Sequence, residues 1–172
     1  MKNRRDLPSM NGRASSLNEF FDIVERRVTP EQRYASPKVR HLHDWWHGAR
    51  GADIPWRHHF DIVDHREIVE HIFVIDCLPT GDFVFRLAGE EVHRLVGRDN
   101  SGELVKRGEV GEYGTALFEY YSSIVAERCC KHCVGSLKFA GREFRRFEGI
   151  DCPLTEDGRA VTRIIGVMDL ID

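Results

Sequence analysis

Three thiols and an imidazole fall within five positions of this chain, in the run Cys129-Cys130-Lys131-His132-Cys133. Thiolate sulfur and imidazole nitrogen are ligands that zinc favours, and Cys130 and Cys133 have the Cys-x-x-Cys spacing of half a tetrahedral site. The other half would be a second Cys/His pair, and the sequence offers only Cys152 and Cys77, singly. Neighbouring thiols also suit a redox switch. The competing reading is structural: a helix ends here, a strand begins, and small thiols pack at the junction. One close pair is a weak metal signal, so no metal is assigned.

The histidines form a second constellation. His41, His43 and His47 precede His58, His59, His65 and His71. His43 and His47 stand at i, i+4, which sets two rings on one helix face where a metal can bridge them. The glutamate of a His-Glu-x-x-His arrangement is missing, since Asp44 follows His43. Packing and surface histidines explain the pattern more simply. Asp76, Asp151 and Asp169 fall on predicted strands and are the carboxylates able to act as a buried acid or base. The alternative places each at a strand end or on a solvent face.

The elements that would position these groups fit one compact domain. The chain has 172 residues, 41% hydrophobic and 31% charged, enough for a single core with some extra length. A net charge of −3 gives no electrostatic case for nucleic acid, and no apolar run is long enough to span a bilayer. Five cysteines without framework spacing point to a reducing cytoplasm. Residues 1–14 are polar and basic and read as a disordered leader.

Ser16-Leu17-Asn18-Glu19 has capping-box spacing. Leu17, Phe20, Phe21, Val24 and Val28 follow at helical intervals. Thr29-Pro30 and Ser36-Pro37 are further helix starts, the second opening a helix through Val39, Leu42, Trp45, Trp46 and Ala49. Ile72–Leu78 reads as a first strand and Phe83–Ala88 as a second, joined by the turn Pro79-Thr80-Gly81-Asp82. Gly89 turns the chain into a short helix with Glu90 and Glu91 in its first turn and Gly97 as its stop. Thr115–Arg128 reads as a longer helix with Leu117, Phe118, Tyr121, Ile124 and Val125 on one face. Three strands close the chain: Cys133–Ala140, Glu143–Cys152 and Val161–Ile171.

Ile72–Ile75 and Ile164–Met168 are apolar on both faces, as central strands are. The strands at Phe83 and Cys133 alternate, as edge strands do. The expected fold is therefore α+β, with a five-stranded sheet in the order 2-1-5-4-3, antiparallel except where first meets last. The helices between strands two and three cover one face, and the N-terminal helices cover the other.

This order, with Leu42-His43-Asp44-Trp45-Trp46, Phe85-Arg86-Leu87-Ala88-Gly89 leading to Gly97-Arg98-Asp99, Cys152-Pro153-Leu154-Thr155-Glu156-Asp157-Gly158 and Arg163-Ile164-Ile165-Gly166, resembles a subfamily of short, standalone bacterial PAS-like domains. Composition and periodicity read as a leader over 1–14 and an amphipathic helical extension over 15–37, and the resemblance implies a PAS-like domain over 38–172. It implies a sensory or interaction module rather than an enzyme, and leaves the ligand open. The Asn-Cys-Arg context of flavin-binding light sensors is absent, and Thr115–Arg128 holds no histidine for haem, so neither cofactor is supported.

A cavity between the long helix and the inner sheet face would be lined by Phe85, Leu87, Leu95, Phe118, Tyr121, Leu137 and Phe139, with Arg86 or Arg163 as polar anchor. Plain core filling by the same residues is the alternative. In each of the pairs Phe20-Phe21 and Trp45-Trp46, adjacent rings point about 100° apart, so one ring is expected on the sheet and one at a homodimer contact, with plain core packing of all four as the alternative. With the last strand ending at the final residues, output is expected through a signalling protein partner or a change of oligomer, with a small-molecule ligand as the cue and no membrane or nucleic-acid partner. Two other function classes stay open: a small α+β-cone enzyme of the isomerase and dehydratase kind, which lacks the central first–last strand pairing, and a metal or redox sensor built on Cys129, Cys130 and Cys133.

Overall fold

The computed structural model describes residues 15–108 and 111–172; the leader expected over 1–14 lies outside them. Seven strands, β1 (Ile23–Arg27), β2 (Ile72–Cys77), β3 (Phe83–Ala88), β4 (Leu104–Val105), β5 (Lys131–Leu137), β6 (Arg142–Leu154) and β7 (Arg163–Leu170), form one sheet in the order β1-β5-β6-β7-β2-β3-β4. The helices are α1 (Ser16–Phe21), α2 (Pro37–Ala49), α3 (Glu90–Val96) and α4 (Glu112–Glu127).

The five expected strands keep their expected order, with β2 and β7 side by side at the centre. Both carry apolar residues on successive positions and are buried on both faces, as strands without a solvent face must be. Two expectations fail at the level of direction and edges. β2 pairs with β7 antiparallel, with Phe73 opposite Gly166 and Ile72 opposite Val167. The reason is that α3 and α4 carry the chain back across the sheet, so β5 re-enters in the direction of β3. The edges are β1 and β4, so β3 and β5, whose alternation suggested edges, are inner strands.

The expected helix from Leu17 through Val28 is half helix and half strand. α1 is capped by the Ser15 side chain, which accepts from the Asn18 N–H, and it stops at Asp22 in the left-handed conformation. β1 then pairs with β5, Ile23 opposite Gly135. Gly135 permits this: a Cβ there would lie 2.3 Å from the Asp22 carbonyl oxygen, which accepts from the Ser136 N–H. Thr29-Pro30 opens a turn and no helix. Ser36 does cap α2, accepting from the N–H groups of Lys38 and Val39.

The two sheet faces are covered by different helices. α2 packs on β6 and β7 through Val39, Leu42 and Trp46, whose indole N–H donates to the Pro153 carbonyl at 2.9 Å. α4 and α3 cover the opposite face. α1 joins them rather than α2, with Phe21 against Tyr113 at 5.1 Å between ring centroids.

A β-bulge sets which side chains of β3 reach which face. Val74 pairs with Leu87 and Ile75 with Phe85, which leaves Arg86 as the extra residue. One extra residue reverses the alternation beyond it. Phe83 and Phe85 are buried under α4, whereas Leu87 turns to the α2 face and is 42% exposed. At the other side, β5 ends at Leu137 and Lys138–Ala140 form a 3-10 turn, so Phe139 is not a strand residue as the sequence suggested.

Candidate functional site

α4 presents Tyr113, Leu117, Tyr120 and Tyr121 to the sheet, spaced 4, 3 and 1 residues apart as one helix face requires. Below them β6 contributes Phe147, Gly149 and Asp151, alternate positions that share a strand face. Gly149 has no side chain, and a cavity of about 90 Å³ opens between helix and sheet there. Phe73, Phe85, Phe139 and Met168 line it, together with Asn100 and Cys133.

The polar part of this chamber is a short chain of groups. The Cys133 thiol donates to the Tyr120 hydroxyl oxygen at 3.0 Å, and the Tyr120 hydroxyl donates to Asp151 Oδ2 at 2.7 Å. Asp151 is only 6% exposed. Among the described residues its Oδ1 has no hydrogen-bond partner, and neither has Oδ1 of buried Asn100. Burial pushes the Asp151 carboxyl up to about 7, against the hydrogen bond from Tyr120, which lowers it; the charge of Glu25 adds to the rise. Burial also raises Tyr120 and Cys133 well above their ordinary values, so both keep their protons near neutrality. The site is thus an aromatic chamber with one carboxyl that titrates near neutral pH.

Of the residues expected to line the cavity, Phe85, Tyr121 and Phe139 do so. Leu95 and Leu137 are packed in the core beside it, and Phe118 lies against Phe83, 5.7 Å between centroids. Leu87 is excluded by the bulge. Neither arginine anchors the cavity. Arg86 is exposed, and both Arg86 and Arg163 pair with Asp76 at the end of the sheet, at 3.4 and 3.0 Å. The polar group in the chamber is an acid instead of a base. Asp151 and Tyr120 had signals in the sequence: Asp151 interrupts the apolar run Ile150–Leu154, and Tyr120 is three residues from Leu117 and four from Ile124.

The other constellations separate. Cys130 and Cys133 are three positions apart in extended chain and so point to opposite faces. Cys133 faces the cavity, while the Cys130 sulfur lies 2.7 Å from that of Cys152 on the α2 face. The Cys-x-x-Cys pair therefore cannot share a ligand. Cys129 is half-buried near Glu127, and burial raises the Cys77 thiol to about 12. Among the described residues, no three His, Cys, Asp or Glu side chains converge to hold a metal. His43 and His47 stack at 5.8 Å; His41 meets His65 at 2.8 Å, and His65 stacks on Phe60. Asp169 is engaged by Ser36, Lys38 and His71. Trp46 is buried on the sheet, Trp45 packs on Phe60 at 4.8 Å, and Phe20 is left 37% exposed.

Comparison with known proteins adds to this geometry. A family model described as a PAS domain matches residues 34–169. No curated protein sequence matches. Among solved structures, the chain is similar to one titled "Structure of an RNA-binding Light-Oxygen-Voltage Receptor", at 14% identity and a TM-score of 0.45, over 87% of this chain and 38% of that one.

Proposed function

Because this chain belongs to the PAS domain family, we propose that it is a cytoplasmic, non-catalytic sensory module that binds a small molecule under α4 and signals through contact with a protein partner or a second copy. One observation carries the ligand reading: a buried carboxyl, Asp151, lines an apolar cavity with one oxygen unpartnered among the described residues. A group left so costs about 1–3 kcal/mol or more in the empty protein, and a ligand that hydrogen-bonds to it recovers that cost. The cavity is far below the several hundred Å³ of a drug-sized site, so it suits a few heavy atoms and not a flavin or haem. The adjacency of β2 and β7 supports this reading over a cone-shaped isomerase fold, which lacks it. Among the described residues no helix is long and apolar enough to cross a membrane.

The route outward runs through α4 and α1. Tyr113 of α4 touches Phe21 of α1, and the exposed Phe20 ring lies beside Phe21. Filling or emptying the cavity beneath α4 would thus reach a surface aromatic on which a partner can dock.

Native mass spectrometry against the denatured mass tests the ligand part. The wild type should carry a small adduct, and Leu117→Trp, which fills the cavity from α4, should be folded and bare. Equal adduct on both proteins, or none on either, would remove the ligand from this reading and leave an interaction module.

A further inference from the structure

Resting on the ligand-cavity reading above, we propose that this site selects a small molecule with an apolar body and one hydrogen-bond-donating group, a hydroxyl or an ammonium, and holds it on Oδ1 of Asp151. The polar floor is already committed in one direction. The proton of Cys133 is engaged by the Tyr120 oxygen, and the proton of Tyr120 by Asp151 Oδ2. What remains on the floor is an acceptor, Asp151 Oδ1, with a second acceptor on Asn100; neither is partnered among the described residues. A ligand offering only acceptors leaves Oδ1 unpaired, and sites built around one buried polar atom reject analogues that cannot meet it. The apolar remainder, Phe73, Phe85 and Phe147 among it, holds a compact hydrocarbon body. About 90 Å³ equals roughly three waters, or about five non-hydrogen atoms of an organic ligand.

The acceptor role belongs to the ionised carboxylate. Asp151 is faced by Tyr113, Tyr120 and Tyr121 from α4, by Cys133 and Lys131 from β5, and by Glu25 from β1, with Lys131 and Glu25 3.7 Å apart. With Asp151 raised to about 7, selection is full in mildly alkaline solution. It fades in acid, where the carboxyl carries its own proton and can donate.

Three probes of matched size test this: isobutanol, isobutylamine (the ammonium ion at either pH) and methyl isopropyl ether, titrated into the wild-type protein by NMR near pH 8.5 and near pH 5.5. At the higher pH the alcohol and the amine should bind at least tenfold more tightly than the ether and shift the amides of Asp151 and Tyr120. At the lower pH the gap should close. Asp151→Leu, which puts an apolar side chain of similar size in its place, should bring the three within about twofold at both pH values; Asp151→Asn, the gentler change, should retain the alcohol and weaken the amine. Ether binding equal to alcohol binding in the wild type, with shifts at the cavity, overturns donor selection and leaves the ligand cavity standing. No binding by any probe overturns both, and shifts confined to other residues overturn the site.

Discussion

Glu148 and Asp151 are both buried carboxylates of β6, three residues apart and therefore on opposite faces of the sheet. Glu148, 2% exposed, accepts from the N–H groups of Ala35 and Ser36 and pairs with His132 at 2.8 Å. It sits at the start of α2, where the helix dipole favours an anion. Its two backbone donors tie the segment before α2 to the sheet, and His132 ties β6 to β5. Asp151 has one donor, Tyr120, and one oxygen unpartnered among the described residues. The same chemical group is a fastener on one face and an open position on the other. The difference lies in what stands above each: a helix N-terminus with free N–H groups, or the middle of a helix whose N–H groups are already used. A buried carboxylate with all partners in place argues for structure, and one with a partner missing argues for a ligand.

That contrast can be broken from the Glu148 side first. Glu148→Ala removes the acceptor for two backbone donors and a histidine, and should cost about 4 kcal/mol in urea denaturation. A loss under about 1 kcal/mol would mean that the fastening role is misassigned. Asp151→Asn should act in the opposite direction. The folded carboxyl titrates at about 7 against an ordinary 3.8, so the folded state holds the proton more tightly than the unfolded chain. Its contribution is full below about pH 4 and lost as pH rises through 7, a span of about 4 kcal/mol. The variant should flatten this slope and be the more stable protein above pH 7; an unchanged pH profile by thermal denaturation would refute the buried charge. The smallest effect is expected from Tyr120→Phe. It removes the only hydrogen bond to the Asp151 carboxyl seen among the described residues and should cost about 2 kcal/mol above pH 7. Because that bond lowers the carboxyl, the midpoint of Asp151 should move up, read by carboxyl-carbon NMR. A midpoint that stays or falls would show that the two groups are not coupled.

The pattern of apolar runs made the central strands legible. Ile72–Ile75 and Ile164–Met168 are apolar at every position but Gly166, and only a strand buried on both faces tolerates that. Ser36-Pro37 and Gly97 marked helix ends because their local chemistry suffices. The site was legible in part. Phe85 and Tyr121 followed from periodicity, but Leu87 did not, since a bulge opposite Val74 and Ile75 is a property of two paired strands and not of one. Likewise α1 and β1 read as one helix, because Val24 and Val28 fit a helical stripe and nothing local announces that β5 leaves an edge for Ile23–Arg27 to fill.

Local propensity and periodicity thus determined five of the seven strands and their order, together with α2, α3 and α4. Tertiary structure decided the rest: the antiparallel meeting of β2 and β7, the opposite faces of Cys130 and Cys133, and the isolation of Asp151. The physical reason is that direction, face and hydrogen-bond partner depend on residues far apart in sequence. Tyr120 and Asp151 stand 31 positions apart, Glu148 and Ser36 stand 112, and no window along the chain contains both members of either pair.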